Sequence, residues 1–237
     1  MTCKKPSLKL AWVPFLVAVC LGLFILDVTF ILLSALAPLP PDGFHSFGVY
    51  AASLWRVETD RGIPEIFGYV KELSAAAALY GCFRYSREVA YAGWSLTFLW
   101  VFLDDALQVH EVFGRLLLAN TELPAVFSVD ACLYSESLSW LLVGLPLGLW
   151  LGYTYIIEPS TRRLSRTLLF LFGLLFIFAG VADGIHAYVD TLSVGARSLT
   201  GFVTLLEDGG EMIVLSLLMA FVLLSTWSYF PLYLRHA

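Results

Sequence analysis

Long apolar segments alternate with short polar ones along the whole chain. Six of the apolar segments reach the roughly 20 residues that a helix needs to cross a bilayer core of about 30 Å. They cover residues 11–36, 63–83, 89–119, 131–157, 167–189 and 201–230. Because unpaired backbone groups are costly in lipid, repeated crossings of this length must be helical. The pattern predicts an all-α integral membrane bundle of six transmembrane helices, forming one domain over residues 1–237.

Basic residues are divided unevenly between the two sets of connecting segments. Cytoplasmic segments of membrane proteins are enriched in lysine and arginine. The richer set contains Lys4, Lys5, Lys9, Arg84, Arg87, Arg162, Arg163, Arg166 and Arg235. This distribution predicts that both termini are cytoplasmic and that the protein is a multi-pass protein of the plasma membrane.

The segment between the first two spans has its own pattern. Apolar residues recur there at roughly helical spacing, at Phe44, Phe47, Ala51 and Leu54. Such spacing predicts a short amphipathic helix over residues 44–56, lying on the outer surface of the membrane. This helix could form a lid over the acidic residues described below, or it could simply cover the bundle. We favour the second interpretation.

Composition supports the membrane location and excludes some partners. Of the 237 residues, 59% are hydrophobic and only 14% are charged, whereas soluble domains have about 25% charged residues. The mean hydropathy is +0.81. The net charge is −5, and the sequence contains no Walker loop or dinucleotide fingerprint. We therefore expect membrane lipids as partners, and no nucleic acid.

Acidic residues and histidines are concentrated in the outer halves of three spans. An ionisable side chain at the centre of a transmembrane helix costs about 2.5–3.5 kcal/mol, so it usually faces the bundle interior and has a partner. At a rise of 1.5 Å per residue, Asp104 and Asp183 both lie about 25 Å beyond the cytoplasmic ends of their helices. The candidates are Asp104, His110 and Glu111 in the third span, Asp183 and His186 in the fifth, and Glu207 and Glu211 in the sixth.

Helical geometry decides which of these side chains share a face. At about 100° per residue, Asp104 and Glu111 lie on one face of the third span. Glu207 and Glu211 are one turn apart and share a face of the sixth. His110 points about 120° away from Asp104. It therefore joins a common site only where the helix bends or the site is broad.

Carboxylates and imidazoles that converge from several helices are typical of a metal site. Closely placed carboxylates repel one another unless they are protonated or bridged by cations. Di-iron bundles combine glutamates with Glu-x-x-His pairs, and Asp183-x-x-His186 is a shortened version of that pair. A second such pair is missing, because Leu107 stands three residues before His110. The ligand types predict Fe, Zn or Mn without choosing among them.

Three functions agree with this pattern. The first is a membrane metalloprotein acting on a lipid-like or quinone-like substrate. The second is an accessory subunit of a larger membrane complex, in which the polar side chains hold helices together and partner subunits bind. The third is a cation or proton carrier whose outer acids form a vestibule, although few polar residues continue a path through the inner halves. We favour the first.

Three motifs give the chain a resemblance to a known group. Asp60-Arg61-Gly62-Ile63-Pro64-Glu65 opens the second span, Phe102-Leu103-Asp104-Asp105-x-x-x-x-His110-Glu111 lies in the third, and Leu206-Glu207-Asp208-x-x-Glu211-Met212 lies in the sixth. Together they resemble a large group of uncharacterised bacterial inner-membrane proteins. The resemblance implies a bacterial inner-membrane location, but it does not indicate an activity. The chain departs from the group at Asp183, where a glutamate followed by methionine is expected.

A weaker likeness is to the alkaline ceramidase superfamily. Those proteins are seven-helix zinc amidohydrolases that use three histidines, an aspartate and a serine. The chain has six predicted spans and only two histidines in the bundle, His110 and His186. We therefore do not adopt that assignment.

Overall fold

All regular secondary structure in the described part of the chain is helical, which confirms the all-α prediction. The computed structural model describes residues 13–36, 54–57, 59, 61–120, 131–182, 185 and 197–227. A 3₁₀ turn at Pro159–Thr161 precedes the sixth helix, and a π-helix at Ile177–Ala182 continues it. The α-helices are α1 (Val13–Leu36), α2 (Ile63–Ser86), α3 (Val89–Leu107), α4 (Val109–Asn120), α5 (Ala131–Ile157), α6 (Arg162–Phe176) and α7 (Arg197–Thr226).

Four helical segments are long and apolar enough to cross a membrane, judged by length and composition. They are Pro14–Leu36, Ser137–Ile157, Pro159–Val181 and Phe202–Thr226. The helices α2 and α3 have 24 and 19 residues, but polar and charged side chains lower their hydropathy. The number of six crossings therefore stays a prediction, while a helical protein with several membrane-compatible helices is established.

The structure corrects the predicted third span. The sequence pattern predicts one helix over residues 89–119, but α3 ends at Leu107 and α4 begins at Val109. Gln108, between them, has φ 51° and ψ 46°, in the left-handed region that side chains other than glycine rarely adopt. The hydrophobic pattern does not reveal this break, because it continues through the interruption.

Two other predictions fall largely on residues that the structure does not describe. Of the predicted surface helix over residues 44–56, only 54–56 are described, and they form part of a turn. The fifth predicted span begins in α6 and continues through the π-helix, and of its last seven residues only Ile185 is described. Both predictions therefore stay open over most of these segments.

The chain divides into two compact units, which we describe separately. The first comprises Met1–Lys71 and Arg166–Ala237, and the second comprises Glu72–Ser165. In the first unit, α7 packs against α1 and against the π-helix; in the second, α5 packs against α3 and α4. The close approach of α7 to the π-helix depends on Gly210, where an added methyl group would overlap the ring of Phe178.

Candidate functional site

The beginning of α3 is held by polar contacts within the second unit. The carboxylate of Glu158 accepts hydrogen bonds from the backbone N–H groups of Val89 at 2.7 Å and Ala90 at 2.9 Å. These N–H groups have no partner inside their own helix, and a negative charge at a helix N-terminus is favourable. The indole Nε1 of Trp94 donates to Ser165 Oγ at 3.0 Å. These bonds fix the helix that presents Asp104 at its other end.

The break after α3 brings Asp104 and His110 together. The carbonyl of Asp104 still accepts the N–H of Gln108, as in a continuing helix. Two residues later, His110 donates its backbone N–H to Asp104 Oδ1 at 2.9 Å instead. The ring Nδ1 of His110 lies 2.8 Å from Oδ2 of the same carboxylate. The break in the helix therefore places His110 beside Asp104. The Asp104 carboxylate contacts both the backbone N–H and the ring Nδ1 of His110, and these two contacts stabilise the bend.

This carboxylate–imidazole pair has a defined chemistry. Asp104 has no exposed surface, whereas the side chain of His110 is 26% exposed. When the Asp104 carboxylate is ionised it can only accept hydrogen bonds, and Nδ1 of His110 is then the protonated nitrogen. In a neutral ring, Nε2 then has the lone pair that can bind a metal or accept a proton. The ring of Trp140, from α5, lies 6.5 Å from the His110 ring between centroids.

Glu111, the third candidate in this segment, contacts a different partner. Its Oε2 lies 3.3 Å from Nη1 of Arg115, one helical turn further along α4. Both side chains are partly exposed. The structure thus groups Asp104 with His110, and pairs Glu111 with an arginine.

The remaining candidates belong to the first unit. Glu207 and Glu211 are half-buried and lie one turn apart on α7, on either side of Gly210. Asp183 and His186 lie outside the described residues. Across the part of the chain that the structure describes, no three His, Cys, Asp or Glu side chains converge as a metal site requires. Of the predicted ligands, the structure shows Asp104 and His110 in direct contact.

A second polar cluster, in the first unit, was not assembled from the sequence. The ammonium Nζ of Lys71, on α2, donates to Asp27 Oδ1 on α1 at 2.9 Å. It also donates to the carbonyl of Met212 at 3.0 Å and to Ser216 Oγ at 3.2 Å, both on α7. Ser216 in turn donates to Asp27 Oδ2 at 2.5 Å. We call Asp27, Lys71, Ser216 and the Met212 carbonyl the charged cluster.

The charged cluster is enclosed by apolar side chains. The exposure of Asp27 is 0%, that of Lys71 2% and that of Ser216 0%. The ring of Phe67 lies 4.6 Å from Nζ of Lys71. A hydrophobic core of Phe30, Val57 and Met212, with Phe67 packed against it, adjoins the cluster. Water is therefore largely excluded from these charges, which makes their mutual pairing obligatory.

The turn before α2 fixes part of this enclosure. The backbone N–H of Val57 donates to Ser34 Oγ on α1 at 2.7 Å, and the N–H of Ile63 donates to the carbonyl of Leu54 at 2.8 Å. Gly62 is required there, because an added Cβ would come within 2.8 Å of the Thr59 carbonyl oxygen. Within the Asp60–Glu65 motif, Glu65 has a structural role, because it accepts hydrogen bonds from the Arg61 N–H and the Tyr69 hydroxyl.

A signal for the charged cluster was present in the sequence. Asp27 and Lys71 are opposite charges within two apolar segments. At 1.5 Å per residue, Asp27 lies about 14 Å from the end of α1 and Lys71 about 12 Å from the start of α2. These depths match for neighbouring antiparallel helices. Ser216 gave no comparable signal, because single serines in such helices usually serve packing.

Comparison with known proteins gives one match. A family model described as a domain of unknown function (DUF8692) matches residues 22–226. The matched region includes the charged cluster and every predicted metal ligand. No curated protein and no solved structure matches the chain.

Proposed function

The chain belongs to the DUF8692 family, and we propose that it is a membrane metalloprotein with His110 as a metal ligand. The observation that supports this most is the contact between the buried Asp104 carboxylate and Nδ1 of His110, at 2.8 Å. Metal-ligating histidines almost always donate their other ring N–H to a carboxylate, a carbonyl or water. The carboxylate fixes the tautomer and orients the ring, so that Nε2 becomes the ligand.

In this proposal Asp104 is a positioning residue. Both of its oxygens already accept hydrogen bonds from His110, so orienting the ring suits it better than binding the metal directly. Asp183, His186, Glu207 and Glu211 stay the ligands predicted from the sequence. A mixed set of imidazole and carboxylate ligands suits Fe, Zn or Mn. The substrate we propose is lipid-like or quinone-like, because the protein has several membrane-compatible helices.

We also propose six membrane crossings with both termini in the cytoplasm. Apart from the four strongly apolar segments, this requires α2 and α3 to cross. The pairing of Lys71 with Asp27 at 2.9 Å supports the crossing of α2, because it neutralises a charge inside that helix. Labelling single cysteines in intact cells tests the proposal: a cysteine at Arg87 should react only after the membrane is opened, and one at Glu122 should react before. The opposite pattern would reverse the orientation.

The metal proposal is tested by elemental analysis of the detergent-purified chain. The sequence has four histidines, which give two test variants, His110→Ala and His186→Ala, and two matched controls, His45→Ala and His236→Ala. We expect near-stoichiometric Fe, Zn or Mn in the wild-type chain and in both controls, and loss of metal in both test variants. Asp104→Asn should retain a site whose affinity is about 10- to 100-fold weaker.

Two results would contradict the proposal. One is a wild-type chain that contains no transition metal after purification and takes up none when Fe, Zn or Mn is added. The other is a metal content that His110→Ala leaves equal to that of the control variants. A metal that His186→Ala removes and His110→Ala retains would confine the site to the residues predicted from the fifth and sixth spans.

A further inference from the structure

The charged cluster has the ligand chemistry of a cation site. The Lys71 ammonium is surrounded by a carboxylate oxygen at 2.9 Å, a backbone carbonyl oxygen at 3.0 Å and a hydroxyl oxygen at 3.2 Å. Carboxylates, carbonyls and hydroxyls are also the groups that bind alkali-metal cations in transporters and channels. Lys71 therefore occupies, as a tethered cation, a place that a free monovalent cation could also occupy.

Two further features of the cluster favour a cation there. The aromatic face of Phe67 lies 4.6 Å from Nζ of Lys71, and such a face attracts cations. The oxygens come from two helices, α1 and α7, that are each membrane-compatible, and Asp27 lies well inside α1. Coupling-ion sites of transporters lie at comparable depth, between helices and away from both surfaces.

The requirement for zero net charge limits which cations can bind in the charged cluster. The four groups of the charged cluster carry one ammonium and one carboxylate, whose charges cancel. Adding a cation without removing a positive charge would leave a net charge among apolar side chains, which is strongly unfavourable. A monovalent cation can enter at constant charge only if Lys71 loses a proton. A divalent cation would leave the cluster positive even then.

We propose that Asp27, Ser216 and the Met212 carbonyl form a monovalent-cation site that exchanges an alkali-metal ion for a proton of Lys71. In the exchange the ion binds the Asp27 carboxylate and one N–H bond of the ammonium breaks. The electron pair of that bond stays on Nζ as the neutral amine, and the proton leaves to water. The cluster has zero net charge before and after. This exchange is independent of the metal site proposed above, with which it shares no residue.

The test measures proton release from the purified full-length chain in detergent. The chain is placed in weakly buffered solution with a pH indicator, and NaCl, KCl or choline chloride is added over a range of starting pH values. We expect stoichiometric, saturable acidification with Na⁺ or K⁺, and none with choline. The absence of acidification with both alkali ions at every pH would overturn the proposal, and the charged cluster would then be a structural contact only.

Three variants locate the proton and the ion, and a fourth is their control. Asp27→Asn should abolish the release, because it removes the anionic ligand. Lys71→Met should abolish it too, because it removes the proton donor. Ser216→Ala should shift the half-saturating salt concentration upward about tenfold, since it removes one oxygen ligand and one hydrogen bond to Asp27. Thr29→Ala is the matched control, because the Thr29 hydroxyl donates to the Ile25 carbonyl in its own helix and lies outside the cluster.

The result stays decisive if the charge variants fail to fold. In that case the half-saturating salt concentrations of Ser216→Ala and Thr29→Ala are compared, since both changes remove one hydroxyl. A shift in Ser216→Ala alone supports the proposal, and equal curves for the two variants overturn it. Metal content, measured on the same samples, reports separately on His110, so a negative result at one site leaves the other intact.

Discussion

Two polar groupings of this protein bury a carboxylate to the same degree but by different means. Asp27 and Asp104 both have no exposed surface. Asp27 is paired with residues 44 and 189 positions away in sequence. Asp104 is paired with His110, six positions away, across a break in its own helix. The first arrangement depends on the assembly of three helices, and the second depends on a local backbone conformation.

The comparison teaches that burial alone does not indicate the role of a carboxylate. In the charged cluster, the partner of Asp27 is the Lys71 ammonium at 2% exposure, so both groups are held away from water. In the second unit, the imidazole that contacts Asp104 is 26% exposed. The surroundings of Asp27 suit a carboxylate that must stay paired with a cation. The surroundings of Asp104 suit a carboxylate that orients an imidazole, whose other nitrogen can bind a ligand.

The largest expected loss of stability follows a change in the charged cluster. Lys71→Met should lower the free energy of unfolding by about 3–5 kcal/mol, because it leaves the Asp27 carboxylate buried without its cation. The measurement is denaturation in detergent with choline as the only added cation. The double variant Asp27→Asn, Lys71→Met should regain most of the loss, since neither charge then remains. A single variant as stable as the wild-type chain would show that Asp27 can recruit water, and the contrast between the two groupings would disappear.

A smaller loss of stability is expected when Asp104 is changed. Asp104→Asn should lower the free energy of unfolding by about 1.5–3 kcal/mol, because the two hydrogen bonds to His110 lose their ionic acceptor. Glu111→Gln is the matched control: its partner Arg115 is 63% exposed, and an exposed ion pair contributes about 1 kcal/mol or less. The same denaturation measurement compares them. Equal losses would mean that Asp104 stabilises the break no more than a surface ion pair does.

The smallest effect concerns the backbone between α3 and α4. Gln108→Gly should raise the free energy of unfolding by up to about 1 kcal/mol, because glycine avoids the cost of a side chain in the left-handed region. Leu107→Gly, at the preceding helical residue, should lower it by about 0.5–1 kcal/mol. If both glycine variants lost stability equally, the left-handed conformation of Gln108 would carry no energetic cost in the native state.

Much of the placement of the helices could be predicted from the sequence, because long apolar segments determine where most of them lie. The predicted limits 63–83 and 131–157 lie close to α2 at Ile63–Ser86 and coincide with α5 at Ala131–Ile157. The predicted start of the third span at residue 89 is the first residue of α3. These ends follow local signals, such as Pro64 in the first turn of α2. Long periodic apolar segments leave few alternatives to a helix.

The two groupings could be predicted only in part. Asp104 and His110 were identified from their residue types, but their contact required a break at Gln108, which has neither the glycine nor the proline that usually marks one. Ser216 could not be assigned to Asp27, because that contact spans 189 residues and depends on how α7 packs against α1. Helical spacing gives the face of a residue on its own helix, not the partner that this face meets.

The long separations within the charged cluster have a consequence for biosynthesis. Chains are made at about 5–20 residues per second, so the 44 residues from Asp27 to Lys71 take about 2–9 s. The 189 residues to Ser216 take about 10–40 s at the same rate. During the interval the nascent chain has Lys71 and lacks α7, so a hairpin of α1 and α2 can already neutralise the aspartate. The lysine thus shortens the time for which the Asp27 carboxylate is without a partner.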